Sequence, residues 1–257
     1  MSVLATHLSP THAFTKLPQR SITLLQGLGV KGDVHCGKKT QHEIFIILDK
    51  KKGELRDNIR QVHLIQAERF DEEGFCRKDG QRLRPGEMGE NITTIGIDLL
   101  SLGKGTKLRF VDDVDVSRHA QNTPIARYML LGRLVQDLCA AGIFIGMGAF
   151  RADRTYWAAA ITVLIGFLAF RLVHQDRKTS QGEVAVISLT GRRRPCNKID
   201  KYIGPGMKDD CIVKDGNDKT IGHRAGVMGI VESGGLVKSG MRIIAEPAEI
   251  FEELPAV

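Results

Sequence analysis

A cysteine lies directly behind a proline and next to three consecutive arginines in residues 191–198. The preceding residues 184–189 alternate apolar side chains in the pattern of a β-strand. Pro195 fixes its own φ and has no amide hydrogen to donate, so the strand should end here and leave the Cys196 thiol on a stiff turn. Nearby positive charge favours the thiolate, which attacks electrophiles and binds soft metals. The pattern also fits a buried structural cysteine beside a solvated basic turn, because free cysteine is commonly buried and inert.

A glycine-rich loop occupies residues 27–37, with four glycines in eleven positions. Such a loop lets the backbone approach a ligand closely. No Gly-Lys-Ser/Thr follows it, which excludes a Walker loop. Asp33, His35 and Cys36 are candidate ligand-binding groups. The alternative is a tight turn that carries polar side chains.

A second polar turn lies within residues 83–94, where Pro-Gly predicts a turn before a β-prone Ile-Thr-Thr run. Glu90 and Asn91 stand between the turn and that run. The amide of Asn91 can donate and accept at once, which suits the edge of a heteroaromatic ring. It equally suits a turn that caps its own backbone.

Short apolar stretches separated by glycine turns recur along the chain and predict a mostly β (α+β) fold. Strands are expected at residues 43–48, 60–65, 106–111, 184–189 and 241–246, and a short helix at 66–74. Many short strands with few helices indicate a closed or nearly closed β-barrel. His63 lies within one predicted strand, where a lone histidine is more often a hydrogen-bonded structural residue than a ligand.

The composition of the chain limits the classes of protein to which it could belong. The chain has 257 residues and five scattered cysteines with no C-x-x-C pair, so neither a disulfide framework nor a zinc ribbon is indicated. A reducing, cytoplasmic setting is the expectation. The net charge of +7 is concentrated in residues 116–181, which hold eight basic and three acidic residues, leaving a net of only +2 elsewhere. This weakens the electrostatic argument for a nucleic-acid partner.

Residues 116–181 differ from the rest of the chain in composition. Residues 138–150 are thirteen uncharged positions, and residues 155–170 are sixteen more. The second run is slightly shorter than the ~20 residues that cross a bilayer upright. We expect an inserted apolar helical segment here, with membrane association through 155–173 only if the 138–170 region is genuine protein.

We hypothesise that residues 116–181 come from a retained intron translated in frame. Removing them leaves about 191 residues and joins two predicted strands by a turn of ordinary length. The alternative is a membrane hairpin inserted in a barrel loop, which costs little closure entropy. Sequencing the transcript separates the two: a spliced message without these codons supports the intron, and their uniform presence contradicts it.

Four motifs in this order resemble the MOSC domain, the family named for the C-terminal domain of molybdenum cofactor sulfurase. The resemblance covers residues 1–257 as a single domain interrupted by 116–181. Val34 stands where the family often has a basic residue, and Cys36 adds a second thiol to the first motif. The motifs are Gly32-Asp33-x-His35, Arg60-Gln61-Val62-x-Leu64-Ile65, Pro85-Gly86-x-x-Gly89-Glu90-Asn91-Ile92-Thr93-Thr94 and Arg193-x-Pro195-Cys196.

The resemblance implies a MOSC-type barrel with a pocket for the molybdenum cofactor, a molybdopterin. Cys196 would be the molybdenum ligand or the sulfur-carrying thiol. Arg60 and Arg193 would hold the pterin phosphate, since a guanidinium binds phosphate through two parallel hydrogen bonds. His35 and Asn91 would line the pocket.

Lys198 is a candidate anion-binding residue of the same pocket. Pyridoxal phosphate is a cofactor sometimes attributed to this family. Nothing in the sequence indicates that Lys198 forms a Schiff base with it, so pyridoxal phosphate is not expected.

The sequence and its resemblance to the MOSC domain leave three candidate functions. The first is a molybdenum-dependent oxidoreductase that reduces a small N-hydroxylated substrate with electrons from a redox partner protein. The second is a non-catalytic carrier of sulfur or molybdenum cofactor, with a persulfide on Cys196. The third is a nucleic-acid-binding barrel using the arginines at 192–194, which the charge balance and the few aromatic residues disfavour.

Overall fold

The computed structural model describes residues 1–41, 43–51, 53–72, 75–77, 79–112 and 184–257. Residues Met1–Asp113 and Glu183–Val257 form one compact unit. Residues 116–181 lie outside the described residues. The predictions made for them, namely an insertion, an apolar helical segment and a membrane-associated stretch, are therefore not described by the structure.

The described part of the chain is built mainly from short strands and a few short helices. The helices are α1 (Glu43–Lys50), α2 (Lys198–Tyr202) and α3 (Met207–Asp210), with 3-10 turns at Ala67–Asp71 and Leu99–Ser101. None of these helices has the length and apolar character needed to span a bilayer. The strands are β1 (Ser2–Leu8), β2 (Leu17–Gln19), β3 (Ser21–Leu25), β4 (Gly29–Val30), β5 (Val62–Gln66), β6 (Ile92–Ile95), β7 (Lys107–Val111), β8 (Val186–Arg192), β9 (Ile212–Lys214), β10 (Thr220–His223), β11 (Val227–Ser233), β12 (Gly235–Lys238) and β13 (Arg242–Glu246).

Seven strands close into a barrel, which confirms the predicted mostly β architecture. Their order is β13-β7-β8-β11-β5-β6-β1, and the pairing of Ser2 in β1 with Arg242 in β13 closes the ring. The sheet is mixed because β5 and β6 run parallel while the other neighbours in the ring run antiparallel. Strand β2 pairs with β1 beside the ring.

Strands β7 and β8, which flank the gap from 113 to 183, are neighbours in the barrel. They pair antiparallel, with Lys107 opposite Ser188 and Arg109 opposite Val186. The chain therefore leaves the barrel at the end of one strand and returns at the start of the adjacent strand. An antiparallel pair of this kind can be joined by a very short turn.

Alternating side chains from the strands fill the barrel interior. Leu108 and Phe110 of β7 and Ile187 and Leu189 of β8 are almost completely buried and belong to one continuous core cluster. The period of two places every second side chain on the inner face. A second cluster lies apart from it, where α2 and α3 pack Ile199 and Met207 against the residues after β5.

The strand predicted at 43–48 was wrong, because residues Glu43–Lys50 form helix α1. A short apolar run does not by itself distinguish a strand from a buried helix. The end of this segment is held by Asp49, whose side chain accepts hydrogen bonds from the Arg56 amide at 3.0 Å and from Arg56 Nη2 at 2.6 Å. The predicted helix at 66–74 corresponds to the 3-10 turn Ala67–Asp71.

Gly226, at the start of β11, connects the barrel to the turn that carries Cys196. Its carbonyl accepts a hydrogen bond from the Arg193 amide at 2.9 Å. Its φ of +94° lies in the left-handed region that favours glycine. A Cβ at this position would lie 2.5 Å from the Leu64 carbonyl oxygen and 2.6 Å from His63 Nε2.

We predict that Gly226→Ala destabilises the protein by about 2–5 kcal/mol. The left-handed backbone costs an alanine about 1–2 kcal/mol, and the contact with fixed neighbours adds about 1–3 kcal/mol. Denaturant unfolding of the full-length protein measures the loss. The matched control is Gly206→Ala, because Gly206 has a φ of +91° but no atom within 4 Å of an added Cβ. Equal losses in the two variants would contradict the role assigned to the close contact.

Candidate functional site

A cavity of about 400 Å³ brings together residues that are far apart in the sequence. Its wall contains all six residues that the sequence analysis assigned to a cofactor site. They come from the glycine-rich loop, from the segments just before β5 and β6, from the turn after β8 and from the first position of α2. The six are His35, Arg60, Asn91, Arg193, Cys196 and Lys198. Their roles stay predictions, and their convergence on one cavity is a property of the fold.

Other parts of the cavity wall were not identified from the sequence. His12, Phe14 and Lys16 come from the loop between β1 and β2, and Gln41 and Asn58 flank the helix α1 region. None of these belongs to one of the four motifs. Lys16 in particular is a single lysine in a stretch of mixed polarity, where no local pattern distinguishes a buried lysine from an exposed one.

The carboxylate of Asp33 is the most heavily hydrogen-bonded side chain beside the cavity. Its Oδ2 accepts from Lys16 Nζ at 2.6 Å, from Asn91 Nδ2 at 2.9 Å and from the Ser9 amide at 3.2 Å. Its Oδ1 accepts from the His35 amide at 3.0 Å and lies 3.2 Å from His35 Nδ1. One buried carboxylate therefore joins three separate segments of the chain.

Asp33 and Lys16 form a buried ion pair, with side chains only 2% and 4% exposed. Burial by itself would raise the pKa of Asp33, but the hydrogen bond from His35 and the charge of Lys16 outweigh it and hold the pKa well below its usual range. Burial lowers the pKa of Lys16, and Asp33 opposes that shift. The carboxylate is therefore ionised at neutral pH, since its hydrogen-bond partners all favour the charged form.

Asn91 is held by protein groups on both sides of its amide. Its Nδ2 donates to Asp33 and to the His7 carbonyl at 3.2 Å, while its Oδ1 accepts from the His63 amide at 3.2 Å. The side chain is 2% exposed. Asn91 thus connects the end of β1 to β5 and fixes Asp33, and its contribution to the cavity wall is chiefly one of positioning.

His63 is buried and hydrogen-bonded, as its place in a predicted strand indicated. Its Nε2 lies 2.8 Å from the Ala225 carbonyl oxygen. Burial, together with the charge of Arg193, lowers the pKa of His63 well below its ordinary value. A neutral, hydrogen-bonded ring at this position supports the wall of the cavity.

The turn after β8 presents Cys196 to the cavity. Strand β8 ends at Arg192, before Pro195 as predicted. Cys196 is half-buried and lines the cavity, so its thiol is not sealed in the core. Cys211 provides the contrast: it is fully buried, and burial raises its pKa to about 11.

Arginine side chains concentrate positive charge around Cys196. Burial and then the charge of Arg193 lower the pKa of Arg60, Cys196 opposes them, and the resulting pKa is about 10. Burial also lowers the pKa of Arg193, again opposed by Cys196. Arg193 Nη1 donates to the Met88 carbonyl at 2.5 Å, which fixes the guanidinium in the wall. An anionic ligand would relieve the repulsion between these two cations.

Lys198 and Cys36 differ in their relation to the cavity. Lys198 is an exposed lysine at the first position of α2 and lines the cavity. Cys36 is half-buried outside the set of lining residues, and burial raises its pKa. Among the described residues, no group of three or more His, Cys, Asp or Glu could hold a metal ion.

Comparison with known proteins identifies solved structures with a similar fold. No protein-family model matches the sequence, and no curated protein matches it significantly. The structure is similar to YuaD from Bacillus subtilis, with a TM-score of 0.55, 15% sequence identity and 96% of each chain covered. The chain shares the fold of YuaD. It is also similar to YiiM from Geobacillus stearothermophilus, with a TM-score of 0.45 and 12% identity over 95% of this chain and 74% of that one.

A third similar structure is YiiM from Escherichia coli, with a TM-score of 0.43 and 11% identity over 99% of this chain and 73% of that one. YuaD and YiiM are MOSC-domain proteins. The likeness to YuaD supports a MOSC fold for this chain, in agreement with the resemblance of its motifs.

We predict that Asp33→Asn lowers the free energy of unfolding by about 3–5 kcal/mol at pH 7, because it leaves Lys16 charged, buried and without its counterion. A group with a depressed folded-state pKa contributes stability above its unfolded-state pKa of about 3.9 and loses it as pH falls towards the folded value. The difference between wild type and variant should therefore shrink below about pH 4. Denaturant unfolding at pH 7 and pH 3 measures both effects.

The matched control for this prediction is Asp57→Asn. Asp57 pairs with Lys39 at 2.9 Å on the surface, with side chains 82% and 46% exposed. An exposed pair of this kind contributes little, so the control should unfold like wild type at both pH values. A constant difference between wild type and Asp33→Asn from pH 7 to pH 3 would contradict the ionised state assigned to Asp33.

Proposed function

We propose that this protein binds the molybdenum cofactor in the cavity and reduces N-hydroxylated compounds, with Cys196 as the molybdenum ligand. The observation that supports the proposal is the convergence of one half-buried thiol and two partly buried guanidinium groups on a single cavity of about 400 Å³. A cavity of this size accommodates a ligand of cofactor dimensions.

The donor groups suit the parts of a molybdopterin. A thiolate is a soft ligand, and Cys196 lies in a turn stiffened by Pro195. Arg60 and Arg193 supply cationic forks of the kind that binds phosphate through paired hydrogen bonds. Lys198, exposed at the cavity wall, adds a further cation for the same anion. When bound, the cofactor supplies a metal centre that accepts and releases two electrons.

The proposed reaction consumes two electrons and two protons. A hydroxylamine R–NH–OH becomes R–NH₂ and water as the N–O bond breaks, with the electrons delivered by a redox partner protein or a chemical reductant. The chain's own residues bind and orient the reactants and supply protons. Polar and cationic side chains line part of the cavity, beside apolar ones such as Phe14 and Met228, and can hold a small polar substrate.

A carrier that passes sulfur or cofactor between proteins is the competing function, and it uses the same Cys196. The thiol's partial exposure in an open cavity suits a persulfide as well as a metal. The two functions differ in turnover. A carrier would give a persulfide on Cys196 by mass spectrometry and no reduction of an amidoxime or hydroxylamine.

We predict that Cys196→Ala lowers the molybdenum content of the purified full-length protein at least ten-fold and abolishes reduction of benzamidoxime with reduced methyl viologen as the electron donor. Removal of the soft ligand takes away the direct bond to the metal. The fold should persist, because Cys196 lies on a turn outside the core clusters. Inductively coupled plasma mass spectrometry, a turnover assay and circular dichroism measure the three quantities.

Cys76→Ala is the matched control, since Cys76 is exposed and does not line the cavity. It should keep the metal content and turnover of wild type. Wild-type protein that is produced in a host making the cofactor, yet carries no molybdenum and does not turn over, would overturn the proposal. Molybdenum retained at full occupancy by Cys196→Ala would overturn the ligand assignment.

A further inference from the structure

Three histidines line the cavity, and they differ in what holds them. His63 is fixed by the Ala225 carbonyl oxygen at 2.8 Å. His12 meets the ring of His35 edge-on, with centroids 5.8 Å apart. Of the three, His35 is the one whose ring nitrogen contacts a carboxylate, with Nδ1 3.2 Å from Asp33 Oδ1. His35 is therefore the oriented histidine of the cavity.

Asp33 determines which nitrogen of His35 carries the proton. An ionised carboxylate can only accept hydrogen bonds, so Nδ1 must be protonated to bond with it. The neutral ring then has its lone pair on Nε2. Among the described residues, Nε2 of His35 has no hydrogen-bond partner. The ring lines the cavity, so this nitrogen is available to a ligand there.

The carboxylate is itself held from the opposite side. Lys16, Asn91 and the Ser9 amide all bond to Asp33 Oδ2, which leaves Oδ1 for the backbone amide and ring of His35. This arrangement resembles in kind the pairing of a buried carboxylate with a catalytic imidazole, in which the carboxylate orients the ring and stabilises its protonated form.

Three charged or titratable groups face His35. Burial lowers its pKa below the ordinary value, and the charges of Lys16 and His12 lower it further, whereas the hydrogen bond and charge of Asp33 oppose the shift. The other charged side chains of the cavity wall are arginines and lysines, which donate hydrogen bonds but cannot take up a proton. Among these groups, the neutral ring of His35 has a lone pair that can take up a proton and release it again.

We propose that His35 is the proton-transfer residue of the cavity and that Asp33 is its positioning residue. The proposal rests on the proposed function, the reduction of an N-hydroxylated substrate. His35 takes a proton from solvent at Nε2 and passes it to the departing hydroxyl oxygen, which leaves as water when the N–O bond breaks. Two electrons from the reductant and a second proton from solvent complete the N–H bond.

The pH profile of turnover tests this role. Since the protonated ring is the acid, kcat should fall ten-fold per pH unit above the pKa of His35. We expect His35→Gln to retain its molybdenum, to lose this pH-dependent limb and to lower kcat by about 10²–10⁴-fold, the usual contribution of general acid–base catalysis. The assay uses full-length, molybdenum-loaded protein, benzamidoxime and reduced methyl viologen between pH 5.5 and 9.

His223→Gln is the matched control, because His223 lies in β10 outside the lining residues and should keep the wild-type limb. A His35→Gln variant with wild-type kcat and pH profile would overturn the proposal and leave the proposed function intact. Loss of molybdenum from His35→Gln would also overturn it, since His35 would then be a binding residue. Wild-type protein with neither molybdenum nor turnover would overturn the proposed function and this role with it.

The tautomer provides a readout that does not depend on turnover. Long-range ¹H–¹⁵N correlation spectra of histidine-labelled, metal-free full-length protein report which ring nitrogen is protonated, and the signals missing from His35→Gln assign the residue. We expect an Nδ1-protonated, Nε2-bare ring at pH 7.5 that titrates below the ordinary histidine pKa. An Nε2-protonated neutral ring in wild type would overturn the arrangement proposed here.

Discussion

The cavity depends on one buried ion pair, Asp33 with Lys16. Two charges removed from water carry a desolvation cost that only close geometry and additional hydrogen bonds offset. Here the carboxylate accepts hydrogen bonds from Lys16, Asn91, the Ser9 amide, the His35 backbone amide and the ring Nδ1 of His35. Because these partners come from the loop between β1 and β2, the glycine-rich loop and the residue before β6, the pair fixes the relative positions of three segments that line the cavity.

Another part of the cavity wall is positioned by the end of β8. There the Arg193 amide bonds to Gly226, while the Arg193 side chain bonds to the Met88 carbonyl. The turn that follows carries Cys196 at the cavity surface. Burial lowers the pKa of Arg60, which is about 10, and also lowers the pKa of Arg193, and the guanidinium of arginine stays protonated in proteins. The result is a thiol among cationic side chains in the same cavity as an oriented imidazole.

The Gly-Glu-Asn motif supports this arrangement from within the protein. Glu90 is fully buried, and its Oε1 accepts hydrogen bonds from the Gly86 amide at 2.5 Å and from the Thr93 hydroxyl at 2.8 Å. Burial raises the pKa of Glu90. The side-chain amide of neighbouring Asn91 forms hydrogen bonds with Asp33 and with two backbone groups. The polar residues of the motif therefore shape the turn before β6.

The sequence by itself determined the strand-rich architecture, the end of β8 before Pro195 and six of the residues that line the cavity. It did so because strand alternation, proline stops and motif resemblance are local signals. It did not reveal helix α1, the buried Lys16 or the particular pairing of Ser2 with Arg242 that closes the predicted barrel. These features depend on partners distant in the chain: a short apolar run takes the form that its neighbours allow, and a lysine is buried only where folding brings a carboxylate to it.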